Sequence, residues 1–312
     1  MKDRALWFHL GLIGLLFAGH FVLPEYHHSN LSRIMVLATF AMGYNIAFGY
    51  TGLLSLGHAL FFAAGLYKAS LLITLMGWSA GPAMLAGVLA GGVMAAAVGV
   101  LALRTAGTAF MIVTLMFAQA GYLTILYLNR WTRGDEGIVI PQPLRRIGAL
   151  DLSDEGTRYL AALALFAAGL FFCLWLVRSP FGRVMVAMRE NEERARMLGY
   201  NPFRVKLIAL ILSGLYAGAA GAAYAVMFGY AGASLASVQY SILPMLWVLL
   251  GGAGTVAGPF VGCLLMFYLI AYASNITSAT LLVVGVALLA LVLFAPRGIL
   301  GTLRERGLKW LP

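Results

Sequence analysis

The 312-residue chain is poor in charge, and this scarcity excludes an ordinary water-soluble protein. Only 10% of its residues are charged, against about a quarter in soluble domains, whereas 62% are hydrophobic and the mean hydropathy is +0.91. An outer-membrane barrel would show alternating segments of about 10 residues. This chain has longer apolar runs, so it is predicted to be an all-α, polytopic transmembrane helical bundle. The runs cover residues 5–23, 32–48, 57–76, 82–103, 108–128, 159–177, 205–229, 241–250, 256–273 and 280–296.

Cysteine and catalytic motifs are also scarce. Cys173 and Cys263 lie far apart in apolar runs, and their spacing fits no metal or redox motif, so we expect two small buried side chains. The chain has no phosphate-binding loop, metal-ligand cluster or nucleophile elbow. We therefore expect no catalytic residue, no metal and no cofactor in this chain. The first apolar run lacks a small-residue cleavage site and is predicted to be a span rather than a signal peptide.

The 21 basic and 11 acidic residues are unevenly distributed. Seven basic residues fall in segment 178–206, and Lys2 and Arg4 stand at the N-terminus. Because Lys and Arg set membrane orientation, both regions and the tail 297–312 are predicted to be cytoplasmic, with loop 129–158 outside. This rule accounts for the net charge of +10 without nucleic-acid binding. We expect one transmembrane domain over residues 1–312, with 178–204 as a distinct cytoplasmic segment.

One apolar run is too short to span. At about 1.5 Å per residue, segment 241–250 reaches only half of a bilayer core. It is predicted to form a re-entrant pair with 256–273, turning at residues 251–258. The bundle then has about 8 to 10 spans, some of them re-entrant or broken.

Two glycine-rich segments interrupt the apolar runs, GYTGLLSLGHALFFAAG at 49–65 and LLGGAGTVAGPFVG at 249–262. They share a Gly-x-x-Gly spacing. Small residues at these positions fit close helix packing. They also fit paired broken helices that line a translocation path. Under the second interpretation the candidate path residues are Gly49, Gly52, Ser55, Gly57, His58, Gly251, Gly252, Gly254 and Gly258.

Three ionisable residues lie in or beside apolar runs, where charge is usually functional. Arg104 sits at a predicted cytoplasmic boundary and is interpreted as an anchor. Lys68 can extend outward along its alkyl stem. His58 is either a hydrogen-bonding group at a helix end or part of a proton relay.

Residues 183–199 are predicted to form one short amphipathic helix, with Val184, Met188, Ala195 and Leu198 near one face. Glu190–Arg194 and Glu192–Arg196 are acid-before-base pairs four residues apart, and Gly199 ends the helix. Such a helix lies either on anionic lipid or in the groove of a cytoplasmic protein. Its three glutamates favour the protein.

Four motifs together resemble one family. They are the segment at 49–65, RSPFGRVMVAMRENEERARMLGYNPFRVKLIALILSG, GGAGTVAGPFVG and LFAPRGILG. In this order, over residues 30–301, the chain resembles LivM-like permease subunits of bacterial branched-chain amino acid ABC importers.

The resemblance implies the permease fold of vitamin B12 and ribose importers, in the bacterial cytoplasmic (inner) membrane. It further implies a homologous second permease, two cytoplasmic ATPase subunits that bind ATP and Mg, and a periplasmic or surface substrate-binding protein. A small-molecule substrate and membrane lipid complete the expected partners.

The resemblance also assigns residues. The family's ATPase-coupling segment corresponds to Met188, Arg189, Glu190, Asn191, Glu192, Arg194, Ala195, Leu198 and Gly199. Two features depart from the family pattern. Residues 133–137 read Arg-Gly-Asp-Glu-Gly where Gly-Gly-x-Asp-Gly is usual, and Lys68 stands where uncharged residues are usual.

Three alternatives remain. Urea or short-chain amide importers have permeases that share most of these motifs. An ion-coupled secondary transporter would need buried paired carboxylates, and none occurs in the predicted spans. An intramembrane enzyme would need a catalytic cluster, which His58 alone does not supply.

Overall fold

The computed structural model describes residues 2–276, 279–295 and 297–306, so part of the predicted tail lies outside the described residues. Helices dominate it. They are α1 (Lys2–Val22), α2 (Glu25–Asn45), α3 (His58–Met76), α4 (Ala80–Ala102), α5 (Thr108–Tyr127), α6 (Asn129–Thr132), α7 (Glu155–Arg178), α8 (Pro180–Glu190), α9 (Glu192–Met197), α10 (Pro202–Phe228), α11 (Val238–Gly251), α12 (Gly258–Ile276), α13 (Thr280–Phe294) and α14 (Gly298–Arg306).

Four two-residue strands accompany the helices: β1 (Ile138–Val139), β2 (Arg146–Ile147), β3 (Leu150–Asp151) and β4 (Tyr230–Ala231). β1 pairs with β4 and β2 with β3, both antiparallel. Loop 129–158, predicted to lie outside the membrane, contains α6 and three of these strands.

Among the described residues, eight helices are long and apolar enough to cross a membrane, namely α1, α2, α3, α4, α5, α7, α10 and α12. The shorter α11 has 14 residues and α13 has 15. This confirms the prediction of a polytopic helical bundle. Cys173 and Cys263 are free and buried, as predicted.

Backbone contacts between glycines hold the centre of the bundle, where α10 packs against α3 and α4. A Cβ at Gly65 of α3 would lie 2.2 Å from the carbonyl oxygen of Gly218 in α10. A Cβ at Gly91 of α4 would lie 2.4 Å from the carbonyl oxygen of Gly214. In lipid, where apolar tails compete with apolar side chains, such close van der Waals packing drives helix association. These three helices therefore need their glycines.

Helix α2 is the most buried span, and α1 and α5 are among the least buried. Phe40 and Tyr44 of α2 belong to the largest fully buried side chains. Peripheral α1 is held on α7 by the Tyr159 hydroxyl, which donates to the Leu16 carbonyl at 2.6 Å. The long internal helix thus lies at the centre of the bundle.

The connections define two ends of the bundle. At the loop end, residues 129–158 pair through β1 with β4 after α10, and His28 near the start of α2 packs on Tyr159 of α7. At the coupling end, α8 and α9 connect α7 to α10. The two sequence segments that were predicted to lie on opposite sides of the membrane therefore lie at opposite ends of the bundle.

The single helix predicted over 183–199 is wrong, because it consists of α8 and α9 with a break at Asn191. Asn191 is extended, with φ −160° and ψ 103°, and its side chain accepts from the Arg194 backbone N–H at 2.9 Å. An Asn cap starts a new helix here. Glu190 consequently pairs with Arg189 at 3.3 Å rather than with Arg194. The Glu192–Arg196 pair forms as predicted, at 3.6 Å.

The predicted shared face of this segment is also wrong. Met188 and Ala195 are buried against the bundle, whereas Leu198 is 73% exposed. Because the break at Asn191 changes the helix direction, the apolar residues on its two sides no longer form one stripe.

Candidate functional site

Helix α2 breaks at a π-helical turn formed by residues Ile46–Tyr50. The Leu53 amide donates to the Ala47 carbonyl at 2.8 Å, which closes the wider turn. Gly52, at φ +77°, then turns the chain away from the helix axis, a conformation that glycine adopts at no steric penalty. A π-turn inside a helix commonly marks a functional position.

A second break joins α11 to α12. Helix α11 ends at Gly251, where a Cβ would lie 1.8 Å from the Gly258 carbonyl oxygen. Gly252 and Gly254 have φ of +120° and +74°. The turn predicted at residues 251–258 is therefore observed, and glycine is required where the two helices touch.

The two breaks meet. A Cβ at Gly49 would lie 2.6 Å from the Gly254 nitrogen. Asn45 bridges them, because its Oδ1 accepts from the Gly254 N–H at 2.9 Å and its Nδ2 donates to the Thr255 carbonyl at 2.9 Å. We call Asn45, Gly49, Gly254 and Thr255 the glycine junction. Sequence reasoning proposed both glycine segments but not their contact, and it missed Asn45.

Arg189 connects the glycine junction to segment 178–204. Its Nη1 donates to the Gly49 carbonyl. Its alkyl stem covers Gly52, where a Cβ would lie 3.0 Å from Arg189 Cγ. A fixed guanidinium fork beside helix-end carbonyls is a favourable, charge-assisted arrangement. Segment 178–204 therefore contacts the break in α2 directly.

His58 is the first residue of α3 and is fully buried. Its Nε2 lies 2.7 Å from the Ser213 hydroxyl of α10, and its ring packs edge-on against Tyr44. The hydroxyl of Ser55 accepts from the Gly57 amide at 3.2 Å. A Cβ at Gly57 would lie 2.7 Å from the Thr114 carbonyl oxygen. His58 and Gly57 therefore contact other helices, whereas the bond of Ser55 is local to the loop before α3.

The nine candidate path residues differ in exposure. Eight are buried within the chain, and Gly52 alone is exposed. Gly52 lies on a cavity of about 970 Å³ at the coupling end, between the start of α5 and the residues from Glu192 to Lys206. Arg104 lines the same cavity. Lys68 is exposed on α3.

Most of the remaining candidate coupling residues lie at the surface of the coupling end, whereas Met188 and Ala195 are buried. Glu190, Asn191, Arg194, Leu198 and Gly199 are exposed. Glu192 is half-buried and also pairs with Lys206 of α10.

A Schellman motif ends α9. The Tyr200 amide donates to the Ala195 carbonyl at 3.2 Å and the Gly199 amide to the Arg196 carbonyl at 3.0 Å. Gly199, at φ +89°, is the left-handed residue that this motif requires. An apolar tip of Met197 and Leu198 stands 81% and 73% exposed beside it. Met197 was missed by the sequence prediction, although it directly precedes Leu198.

The departure at residues 133–137 has a backbone consequence. Arg133 is the one described non-glycine residue with positive φ, at +57°, followed by Gly134 at +50° and Gly137 at +74°. At this position, where the resemblance leads us to expect glycine, the left-handed conformation is adopted by an arginine, which adopts it less readily.

Among the described residues, no group of three His, Cys, Asp or Glu side chains is placed to hold a metal ion. A bundle of apolar spans around two joined, broken helices, with a charged segment contacting one break, has the features of a membrane permease. Comparisons with known proteins define the class more narrowly.

Residues 28–295 match the family described as "Branched-chain amino acid transport system / permease component", and the chain belongs to this family. It is 29% identical to the high-affinity branched-chain amino acid transport system permease protein LivM of Escherichia coli (strain K12), over 96% of this chain and 76% of that protein. No solved structure matches the chain.

Of two further relatives, which match over smaller parts of the chain, one carries another cargo in its name. The autoinducer 2 import system permease protein LsrC of Photorhabdus laumondii is 28% identical over 57% of this chain and 53% of its own length. A probable branched-chain amino acid transport permease protein LivM of Methanocaldococcus jannaschii is 31% identical over 33% of this chain and 31% of its own. The chain is a permease component of the branched-chain amino acid transport type.

Proposed function

We propose that the chain is the membrane-spanning subunit of an ATP-driven importer for branched-chain and other hydrophobic amino acids. It pairs with a homologous permease, rests on two ATPase subunits and receives its substrate from an external binding protein. The chain itself supplies no hydrolytic group. ATP and Mg bind to the ATPases.

One contact carries the proposal: Arg189 of α8 reaches the Gly49 carbonyl at the break of α2. A permease that is driven by ATPase subunits needs a surface that they move and a contact that transmits this movement to the spans. The exposed Met197 and Leu198 supply an apolar surface for an ATPase groove, and Arg189 supplies the connection. Transport then follows a population shift between two arrangements of the breaks.

Gly52 is the candidate path residue placed to meet the substrate at the coupling end, because it is exposed to the 970 Å³ cavity. The eight buried path residues hold Gly52 in place at this cavity. The external binding protein selects the solute, so the path itself needs little affinity.

Uptake by the reconstituted complex tests the function. The chain is combined in proteoliposomes with a second permease of the family, two ATPase subunits and a binding protein from the same organism. We expect ATP-dependent leucine uptake, competed by isoleucine and valine but not by urea. Uptake of urea or autoinducer 2 without leucine uptake would show that amino acids are the wrong substrate class and that the transported solute is the right one. Uptake by the chain alone, without ATP, would indicate a secondary transporter.

The share of this chain that aligns with each relative favours amino acids over autoinducer 2 as the substrate. The LivM of E. coli aligns with 96% of this chain and the LsrC of P. laumondii with 57%.

The apolar tip tests the coupling surface. Leu198→Asp places a charge in the proposed ATPase groove, so we expect about 10-fold lower leucine uptake at an equal amount of permease in the membrane. Leu144→Asp, in the loop at the other end and 42% exposed, is the matched control. Equal uptake in both variants would remove the tip from the coupling surface.

Gly52→Leu tests the path. We expect loss of uptake with an assembled complex, because the new side chain fills the cavity wall and displaces Arg189. Gly77→Leu is matched for backbone strain, since Gly77 has φ +67° and open space around its Cβ position. If the two variants transport equally, Gly52 has only a conformational role.

A further inference from the structure

The C-terminal helix α14 packs on the second glycine break. A Cβ at Gly252 would lie 2.7 Å from the Gly301 nitrogen, and a Cβ at Gly298 would lie 2.5 Å from Gly252 Cα. Contacts this close between backbones allow no side chain between α14 and the loop after α11. The tail helix is therefore part of the coupling end rather than a free extension.

Two arginines from two different elements reach the glycine junction. Arg189 of α8 donates to the Gly49 carbonyl, and Arg304 of α14 donates to the Gly254 carbonyl at 3.4 Å. Arg189 Nη1 also lies 3.1 Å from the position of a Cβ at Gly254. Each guanidinium thus lies beside the glycine junction, where the two breaks touch.

Electrostatics favours this arrangement at both carbonyls. Gly49 lies in the last turn of the α2 span, and Gly254 follows shortly after the end of α11. Helix C-termini carry partial negative charge, so two converging C-termini repel each other unless cations lie between or beside them. Asn45 joins the two breaks by neutral hydrogen bonds. The arginines add charge-assisted bonds to the carbonyls.

Helices α8 and α14 contact opposite sides of the glycine junction. Arg189 belongs to the segment that we propose the ATPase moves, whereas α14 is attached by its backbone to the loop after α11. Movement of α8 then pulls the Gly49 side while α14 keeps the Gly254 side in place. Without that restraint, the loop at 252–257 moves together with α8 and the two breaks stay in contact.

We infer that Arg304 is a positioning residue for transport, which anchors the Gly254 side of the glycine junction against the pull of Arg189. The inference rests on the proposed function, since it needs an ATP-driven complex, but it assigns to α14 a role that the coupling segment alone does not explain.

The test compares Arg304→Gln, Arg304→Lys and Arg304→Gln with Arg189→Gln in the reconstituted complex. The readout is leucine transported per ATP hydrolysed. We expect Arg304→Gln to lower this ratio about 5-fold, as the loss of one ordinary hydrogen bond predicts, with ATP hydrolysis retained. Arg304→Lys keeps a cationic donor and should recover most of the ratio. Arg130→Gln, exposed on α6 at the loop end, is the matched control.

The double variant tests whether both arginines act on the glycine junction. If they do, its effect is smaller than the product of the two single effects, because without the pull of Arg189 the restraint by Arg304 has nothing left to oppose. Independent, multiplicative effects would overturn the inference.

Hydrogen exchange supplies a readout that does not depend on transport. In the assembled complex, Arg304→Gln should speed amide exchange at Gly254 and Thr255 and leave exchange in α3 unchanged. An unchanged ratio together with unchanged exchange overturns the role of Arg304. A wild-type complex that hydrolyses ATP without leucine uptake contradicts the proposed function instead, and the exchange result still decides the role of Arg304.

Discussion

The two ends of the bundle differ in where their long-range hydrogen bonds end. At the loop end, His27 Nδ1 lies 2.9 Å from the Tyr268 hydroxyl and the Tyr159 hydroxyl donates to the Leu16 carbonyl, so these bonds join residues of regular helices. At the coupling end, Asn45 and Arg189 bond to backbone groups at the breaks of the helices, about 210 and 140 positions away. A bond between regular helices fixes their packing, whereas a bond to a break holds backbone that can change its conformation. We therefore expect a conformational signal to be transmitted at the coupling end.

The largest expected effect is at Gly251. Gly251→Leu forces a side chain into the Gly258 carbonyl, which a Cβ alone would already approach to 1.8 Å. We expect destabilisation of about 3 kcal/mol or more, measured as loss of monodisperse permease in detergent. Gly11→Leu is the control, because nothing lies within 4 Å of its Cβ position. Similar behaviour of the two variants would contradict close contact of α11 with α12.

The two ends of α2 offer a direct comparison. Asn45→Ala removes two buried hydrogen bonds of the glycine junction, and we expect a loss of about 2 kcal/mol. Asn30, at the loop end of the same helix, has a buried Nδ2 with no described partner, so Asn30→Ala should cost less. Thermal unfolding of the purified complex measures both. An equal loss would mean that the junction contributes no more than ordinary packing.

Arg133→Gly tests the loop end. Glycine adopts the φ of +57° without the steric penalty of a side chain, so we expect stabilisation of about 1 kcal/mol. Arg130→Gly, in helix α6, should destabilise instead. A lower melting temperature for Arg133→Gly would indicate that the arginine side chain makes a stabilising contact.

The smallest effect depends on pH. The hydrogen bond from the Thr157 amide lowers the pKa of Asp154 below its usual value. A lowered carboxyl pKa adds stability above the unfolded-state pKa of about 3.9, and this stability is lost as pH falls through the folded pKa. Asp154→Ala should therefore lower the melting temperature at pH 7, and the difference should disappear as the pH falls through the lowered pKa. A difference that persists in acid would exclude the charged cap as its cause.

Local rules predicted much of the fold. Apolar run length placed the spans, and Gly199 ends a helix as its sequence position indicates. The same rules failed at Asn191, where a capping side chain outweighed the helical pattern. They also missed Asn45, whose partners lie in the other half of the chain. A lone amide in an apolar run is a detectable signal, since polar groups in spans seek partners. The identity of the partner requires the folded chain.

The glycine contacts among α3, α4 and α10 have a mechanical consequence. Carbonyls pressed against neighbouring backbones leave no flexible side chains to rearrange, so these three helices form one stiff slab. Under the proposed function, alternating access moves these three helices as one rigid body against α5 and α11, and the displacement is absorbed at the edges of that body rather than inside it.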